Sequence, residues 1–179
     1  PVEVVQASLR QIEKYNSAFN AFCLVDYENA LLAAKESEQR WYKGEPIGRV
    51  DGIPTSVKDL VLTKGWPTLR GSKTSDKDQI SIEDAPSVGR LREHGAVLLG
   101  KTTTPEYGWK GVTDSPLTGL TRNPWNTEHT PGGSSGGAAV AAICGMGVMH
   151  IGSDGGGSIR IPSSFCGLVG IKANFGRVP

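Results

Sequence analysis

Cysteines, long apolar runs and blocks of like charge are all scarce in this sequence, and each shortage excludes a class of protein. The 179 residues contain three cysteines and no C-x-x-C pair. An odd number without that pairing argues against a disulfide scaffold and a thiolate zinc site, and it favours a reducing, cytoplasmic compartment. No apolar run approaches the length of a membrane span, so we expect no membrane partner. The cysteines are Cys23, Cys144 and Cys166.

Neither positive nor negative charge predominates in the sequence. Nineteen Lys and Arg residues against eighteen Asp and Glu give a formal net charge of +1, without a run of either sign. A nucleic-acid groove requires a cluster of positive charge. We therefore expect no nucleic-acid partner.

Glycine is absent from residues 1–40 and concentrated in residues 131–170, which hold twelve of the 24 glycines. Glycine permits backbone conformations that other residues adopt only under strain, and such conformations cluster at functional sites. The glycine-rich stretch is therefore where we expect chemistry.

Helical periodicity is clearest near the beginning of the chain. Apolar residues recur at steps of three and four over 2–19, which places them on one face of a helix. A second helix is predicted over 27–40, with a buried stripe that consists of Tyr27, Leu31, Ala34 and Trp41. The other predicted helices cover 82–94, behind a capping-box pattern at 81–84, and 135–144.

Short apolar runs between turn residues predict strands at 55–58, 59–62, 96–99, 150–152 and 168–171. Residues 102–131 carry repeated turn signals and are predicted to be mostly loop. Alternating helices and strands indicate an α/β fold. We predict one domain over 1–179, with N-terminal helices in 1–45 and the catalytic core in 46–179.

The segment Gly95 to Thr102 fits the P-loop pattern G-x-x-x-x-G-K-T. A phosphate-binding loop needs its middle residues in a loop and a helix that starts at the Lys-Thr. Here the middle residues are apolar strand formers, and Thr103-Thr104-Pro105 does not open a regular helix. A buried strand that ends in a loop is the favoured interpretation.

The segment Gly132 to Gly136 fits the G-x-S-x-G nucleophile elbow. That elbow requires a preceding strand and the chain order Ser, acid, His. A loop-like stretch precedes it, and His150 comes before Asp154, so the order is wrong. The interpretation stays open only if further chain supplies other partners.

A third glycine motif runs from Ser153 to Arg160. Three successive glycines can direct their amides at one point, as an oxyanion site requires, and Ser158 follows them at the position of a nucleophile. The alternative is a tight turn with a structural serine. No histidine has a recognisable spacing to serve as base. Lys58, within an apolar run, is the best candidate for a buried neutral lysine, although an edge-strand lysine facing water is the commoner case.

At these motifs the sequence resembles the amidase signature family over nearly its whole length. The matching segments are Gly52 to Asp59, Gly100 to Glu106, Thr121 to Asn126, Gly132 to Gly137, Gly152 to Pro162 and Phe165 to Lys172. The resemblance implies an α/β/α sandwich with a mixed β-sheet flanked by helices, incomplete at the C-terminus of this chain.

The resemblance also implies a Ser-Ser-Lys triad without metal or cofactor. Ser158 matches the nucleophile, Ser134 the bridging serine with a cis peptide bond, and Lys58 the base. The backbone amides of the oxyanion hole would come from Gly155, Gly156, Gly157 and Ser158. Ser135, Asp154 and Arg160 match supporting positions.

One position departs from the family pattern, which usually has a residue with a side chain where this chain has Gly155. The third glycine either loosens the oxyanion site or widens the pocket beside it.

The resemblance implies an amidase that acts on a small-molecule amide through an acyl-enzyme on Ser158, and it allows a homodimer. A second hypothesis is the glutaminase subunit of a tRNA-dependent amidotransferase. It ranks lower because Ile161 follows Arg160 where that branch tends to have glutamine. A third is a non-catalytic fragment, because the family fold continues beyond these motifs.

Overall fold

A four-stranded mixed β-sheet forms the centre of the fold in the computed structural model, which describes residues 1–178. The strands of the chain are β1 (Phe22–Val25), β2 (Pro54–Lys58), β3 (Val97–Thr102), β4 (Asp114–Ser115), β5 (Gly119–Leu120) and β6 (Met149–Ile151). The central sheet has the order β1-β3-β2-β6, and β4 pairs only with β5. Strand β2 is parallel to both β3 and β6, whereas β1 is antiparallel to β3. The predicted α/β class with a mixed sheet is confirmed.

Helices cover both faces of this sheet. They are α1 (Val2–Phe19), α2 (Tyr27–Lys43), α3 (Pro86–Glu93), α4 (Gly136–Ile143) and α5 (Arg160–Cys166), with a 3₁₀ turn at Glu106–Gly108. One apolar cluster joins α1, α2 and α4 to Val97 and Leu99 of β3, while Leu98 belongs to a second cluster with Val88 of α3. Because successive strand residues point to opposite faces, the two clusters lie on opposite sides of the sheet. No helix within residues 1–178 has the length and apolar character needed to cross a bilayer.

Local sequence explains where the first two helices end. Helix α1 stops at Asn20, which adopts a left-handed conformation, and the Asn16 side chain accepts hydrogen bonds from the amides of Ala21 and Phe22. Helix α2 begins behind Asp26, whose carboxylate accepts from the Asn29 amide, and it ends at Gly44 with φ of 73°. A left-handed glycine at this position is a common helix stop because it carries no Cβ.

Two helix predictions are wrong in detail. Ala34 is buried as predicted, whereas Tyr27 and Trp41 are 36% and 51% exposed, because the residues that α2 buries are small. Helix α3 begins at Pro86 rather than at 82, since the predicted capping residues are engaged elsewhere: the Asp84 carboxylate accepts from the Lys64 amide and pairs with Arg92. The small buried residues of α2 are Ala30, Ala34 and Ser37.

Two strand predictions are also wrong. Residues 59–62 form a turn after β2, and 168–171 form no strand, with Val169 and Ile171 at 93% and 81% exposure. Three of the four strand residues predicted at 96–99 belong to β3, which begins at Val97 and continues to Thr102, so most of the P-loop-like segment is strand, as expected. Residues 102–131 are mostly loop, apart from the 3₁₀ turn and the β4–β5 hairpin. Strand β1 and helix α5 were not predicted.

Candidate active site

Lys58 ends strand β2 and is completely buried. Because β2 and β6 are parallel, their C-terminal ends lie at the same edge of the sheet, and the chain leaving β6 passes beside Lys58. The segment that opens α4 reaches the same edge. Three stretches far apart in sequence therefore meet around one ammonium group.

Three serine hydroxyls surround the Lys58 side chain. The Nζ atom lies 2.6 Å from Ser134 Oγ, 3.0 Å from Ser135 Oγ and 3.0 Å from Ser153 Oγ. Ser134 and Ser135 are buried just before α4, and the peptide bond between Gly133 and Ser134 is cis, the bond that the resemblance implied. The structure thus brings together the predicted base and the predicted bridging serine.

Burial sets the electrostatics of this lysine. Desolvation lowers the pKa of Lys58 to about 7, and the negative charge of Asp154 opposes that shift. No carboxylate within residues 1–178 forms a salt bridge with Lys58. A lysine with such a pKa is neutral in a large share of molecules at neutral pH, so it is able to accept a proton.

Ser158 is tied to this cluster through its backbone. Its carbonyl accepts a hydrogen bond of 3.0 Å from the Ser135 amide. Its half-buried side-chain hydroxyl makes no hydrogen bond to any described residue, so the structure ties Ser158 to Ser135 through the backbone and does not join its hydroxyl to Ser134. Two members of the predicted triad, Lys58 and Ser134, are therefore hydrogen-bonded to each other, whereas the hydroxyl of Ser158 has no partner among the described residues.

Asp154 organises the glycine segment before Ser158. Its buried carboxylate accepts hydrogen bonds from the amides of Gly157, Ile159 and Arg160 at 2.7, 3.1 and 3.2 Å. The Arg160 guanidinium binds both carboxylate oxygens, at 3.0 and 2.9 Å, and holds the pKa of Asp154 well below its usual range. Asp154 and Arg160 thus lie where the resemblance placed supporting residues.

The backbone amides predicted to form the oxyanion hole differ in whether they already have a hydrogen-bond acceptor. The Gly157 amide already donates to Asp154, and Gly157 adopts φ of 126°, which favours glycine. The amides of Gly155, Gly156 and Ser158 have no acceptor among residues 1–178, and the two glycines are exposed. A Cβ at Gly155 would meet nothing within 4 Å, so space is open beside it.

Sequence reasoning did not find Ser153, the third hydroxyl on Lys58. The only signal for it was its place next to the glycine run, directly after a predicted strand. A second, partly buried pair, His150 Nδ1 and Ser56 Oγ at 2.8 Å, was also missed. Burial lowers the pKa of His150 to about 4, and no histidine contacts Ser134 or Ser158 within the described chain, which leaves the G-x-S-x-G interpretation without its base.

The fold and the site together define a class: an α/β protein that holds a buried lysine among serine hydroxyls at the edge of a mixed sheet. The model of the family described as amidase matches residues 3–179. The chain belongs to the amidase signature family.

Individual relatives agree with that assignment. The chain is 42% identical over 179 residues to an acylamidase of Rhodococcus erythropolis, covering 100% of this chain and 37% of the relative. It is 43% identical over 177 residues to the A-type subunit of the glutamyl-tRNA(Gln) amidotransferase from Trichlorobacter lovleyi, covering 99% and 36%. The crystal structure of a bacterial aryl acylamidase of the amidase signature family superposes with a TM-score of 0.86 at 38% identity, over 91% of this chain and 34% of that one. The chain thus spans little more than a third of the length of the relatives it matches.

Proposed function

We propose that this chain carries the catalytic residues of an amide hydrolase that acts on a small-molecule amide. The observation that carries the proposal is the 2.6 Å contact between the Nζ of a fully buried Lys58 and the hydroxyl of Ser134. A lysine without a carboxylate partner, in contact with a serine, is the arrangement that a base needs when no histidine is present.

In the proposed reaction the Ser158 hydroxyl oxygen attacks the amide carbonyl carbon. Its proton passes to Ser134 while Ser134 passes its own proton to neutral Lys58. The negative oxygen of the tetrahedral intermediate lies against backbone amides of the glycine segment, of which those of Gly155, Gly156 and Ser158 are unpaired within the described chain.

Collapse of the intermediate breaks the carbon–nitrogen bond. The Lys58 ammonium returns its proton through Ser134 to the departing nitrogen, which leaves as an amine or ammonia. Water then attacks the ester on Ser158 by the same relay, releasing the carboxylic acid and restoring the free serine. No cofactor is needed for any of these steps.

The open hydroxyl of Ser158 is compatible with this route. Catalytic hydrogen bonds are often long in the absence of substrate and tighten in the complex. The Ser135 amide holds the Ser158 backbone, and the proposed relay requires the Ser158 side chain to turn toward Ser134.

A glutaminase subunit of a tRNA-dependent amidotransferase is the second candidate. The 43% identity to the amidotransferase chain from Trichlorobacter lovleyi favours it, whereas Ile161 after Arg160 argues against it. Stable co-purification of the full chain with a tRNA-binding partner would reverse this ranking.

Labelling of the full chain with a fluorophosphonate probe tests the main proposal. Ser158 should take up the probe, and Ser158→Ala should remove the labelling. Ser164→Ala, an exposed serine on α5, is the matched control and should label like the wild type. Unchanged labelling of Ser158→Ala would refute the assignment of the nucleophile. Failure of the wild type to label would favour the third hypothesis, a fragment without activity.

A further inference from the structure

The number of serine hydroxyls around Lys58 equals the number of N–H groups in its charged form. An ammonium group has three N–H donors, and three serine oxygens lie within 3.0 Å of Nζ. The neutral amine has only two N–H donors and one lone pair. In the neutral form, therefore, one of the three hydroxyls has to direct its own hydrogen at the nitrogen.

Ser135 is excluded from that role by its other contacts. Its hydroxyl donates to the Ser153 carbonyl at 3.2 Å and accepts from the Ser153 amide at 3.3 Å. Because a hydroxyl has a single hydrogen, Ser135 is able only to accept from Lys58. The hydrogen directed at the lone pair comes from Ser134 or from Ser153.

Distance and the proposed relay together distinguish these two serines. Ser134 Oγ is the closer of the two to Nζ, at 2.6 Å against 3.0 Å for Ser153 Oγ. In the proposed relay Ser134 gives its proton to the lone pair of neutral Lys58, so the Ser134 hydroxyl is the one that donates to Nζ. Ser153 thus accepts one of the two N–H groups, as Ser135 accepts the other.

We propose that Ser153 is a positioning residue, which together with Ser135 accepts both N–H groups of neutral Lys58 and so leaves the lone pair directed at Ser134. The inference rests on the proposed function, in which Ser134 gives its proton to that lone pair. Without the Ser153 hydroxyl the amine is free to rotate, and an N–H can then replace the lone pair in front of Ser134.

The charged and titratable groups near this cluster are few. Asp154 follows Ser153 on the chain leaving β6 and is paired with Arg160. On β3, Thr102 is the neighbour of Lys58 in the sheet. The residue before it, Lys101, forms a salt bridge with Asp59 at 3.2 Å. His150 on β6 is engaged with Ser56. Of these groups, Asp154 is the one whose charge affects Lys58.

The test is the rate at which Ser158 is labelled by the fluorophosphonate, measured against pH in the full chain. Ser153→Ala should lower the plateau rate about five- to tenfold, the factor that corresponds to one hydrogen bond. It should also move the acidic limb of the profile to lower pH, because the ammonium form loses an acceptor. Ser8→Ala is the control, since it removes a buried hydroxyl from α1 that bonds the Val4 carbonyl, far from the site.

Two isosteric variants separate the hydroxyl from packing. Ser153→Thr keeps the hydroxyl and Ser153→Val has the same shape without it, so the pair remains informative even if Ser153→Ala fails to fold. We expect Ser153→Thr to retain the plateau rate and the acidic limb of the wild type. We expect Ser153→Val to show both a lower plateau rate and an acidic limb at lower pH. Equal profiles for Thr and Val, or a lower plateau with an unmoved limb, would overturn the positioning role.

Failure of this inference differs from failure of the proposed function. If Ser158→Ala abolishes labelling while Ser153→Val labels like Ser153→Thr, the nucleophile stands and the role of Ser153 is rejected. If Ser158→Ala still labels, the proposed function is rejected first.

Discussion

Two fully buried lysines lie on neighbouring strands, and their partners differ. Among residues 1–178, the hydrogen-bond partners of Lys58 on β2 are all hydroxyls, whereas Lys101 of β3 lies 3.2 Å from the Asp59 carboxylate. Lys101 also donates to the Val61 carbonyl and the Thr68 hydroxyl, both at 2.9 Å. Since Lys101 is level with Val57 in the sheet, the two ammonium groups point to opposite faces.

The comparison shows what makes a buried lysine a base. Desolvation lowers the pKa of both lysines, but at Lys101 the charge of Asp59 opposes it, and the pair holds the turn after β2 against β3. At Lys58 no carboxylate of the described residues forms a salt bridge, so the charged form has less support. Burial with hydroxyls favours a proton acceptor, and burial with a carboxylate favours a structural cation.

Replacing each lysine by methionine should separate the two roles. Lys58→Met should lower the rate of Ser158 labelling by about 10³-fold, within the range of general base catalysis, because no other basic side chain of residues 1–178 hydrogen-bonds to Ser134. The rate constant of fluorophosphonate labelling measures the effect. Labelling within tenfold of the wild type would show that Lys58 is not the base.

Lys101→Met should act on stability instead. It leaves the Asp59 carboxylate buried without its partner, which costs about 3–5 kcal/mol in the free energy of unfolding. Urea denaturation measures the loss. The double variant Lys101→Met/Asp59→Asn removes the unpaired charge and should recover part of it; a single variant as stable as the wild type would contradict the structural role.

The pH dependence of labelling should follow the charge of Lys58. Because burial lowers the pKa of Lys58 to about 7, the neutral base disappears as the pH falls below that value. The labelling rate should therefore level off above pH 7 and fall about tenfold per pH unit well below it. A profile that is flat from pH 5 to pH 9 would be inconsistent with a titrating lysine.

The smallest expected effect comes from Asp154. Its negative charge raises the pKa of Lys58, so Asp154→Asn should lower that pKa and move the acidic limb to lower pH by a fraction of a unit. Arg160→Gln is the opposite control, because it exposes the Asp154 charge and should move the limb to higher pH. Labelling profiles of the two variants are compared, and movement in the same direction would refute the electrostatic explanation.

Much of this site was predictable from the sequence. The apolar run around Lys58 indicated burial, and the glycine motifs identified the loops that carry Ser134 and Ser158. Periodicity found α1 and α2, whereas α4 was predicted from its run of small residues and is buried from Gly136 to Ala141.

What the sequence missed has physical causes. Strand β1 is four residues long between two helices, too short for a periodic signal. Helix α5 contains Pro162 in its first turn, a position that tolerates proline although proline argues against helix elsewhere. Val169 and Ile171 are apolar yet exposed, since composition does not say what a segment packs against. Ser153 belongs to the site because β2 and β6 are parallel neighbours in the sheet. The residues of one strand do not reveal which distant strand pairs with it.

A direct titration of Lys58 tests the central claim. The ¹³Cε chemical shift of Lys58, assigned by its absence in the Lys58→Met spectrum, is followed against pH in the full chain labelled at lysine. The structure predicts a midpoint near the pKa of about 7 that burial imposes. A midpoint at the ordinary lysine pKa of about 10.4 would contradict the account, because Lys58 would then be charged throughout the neutral range.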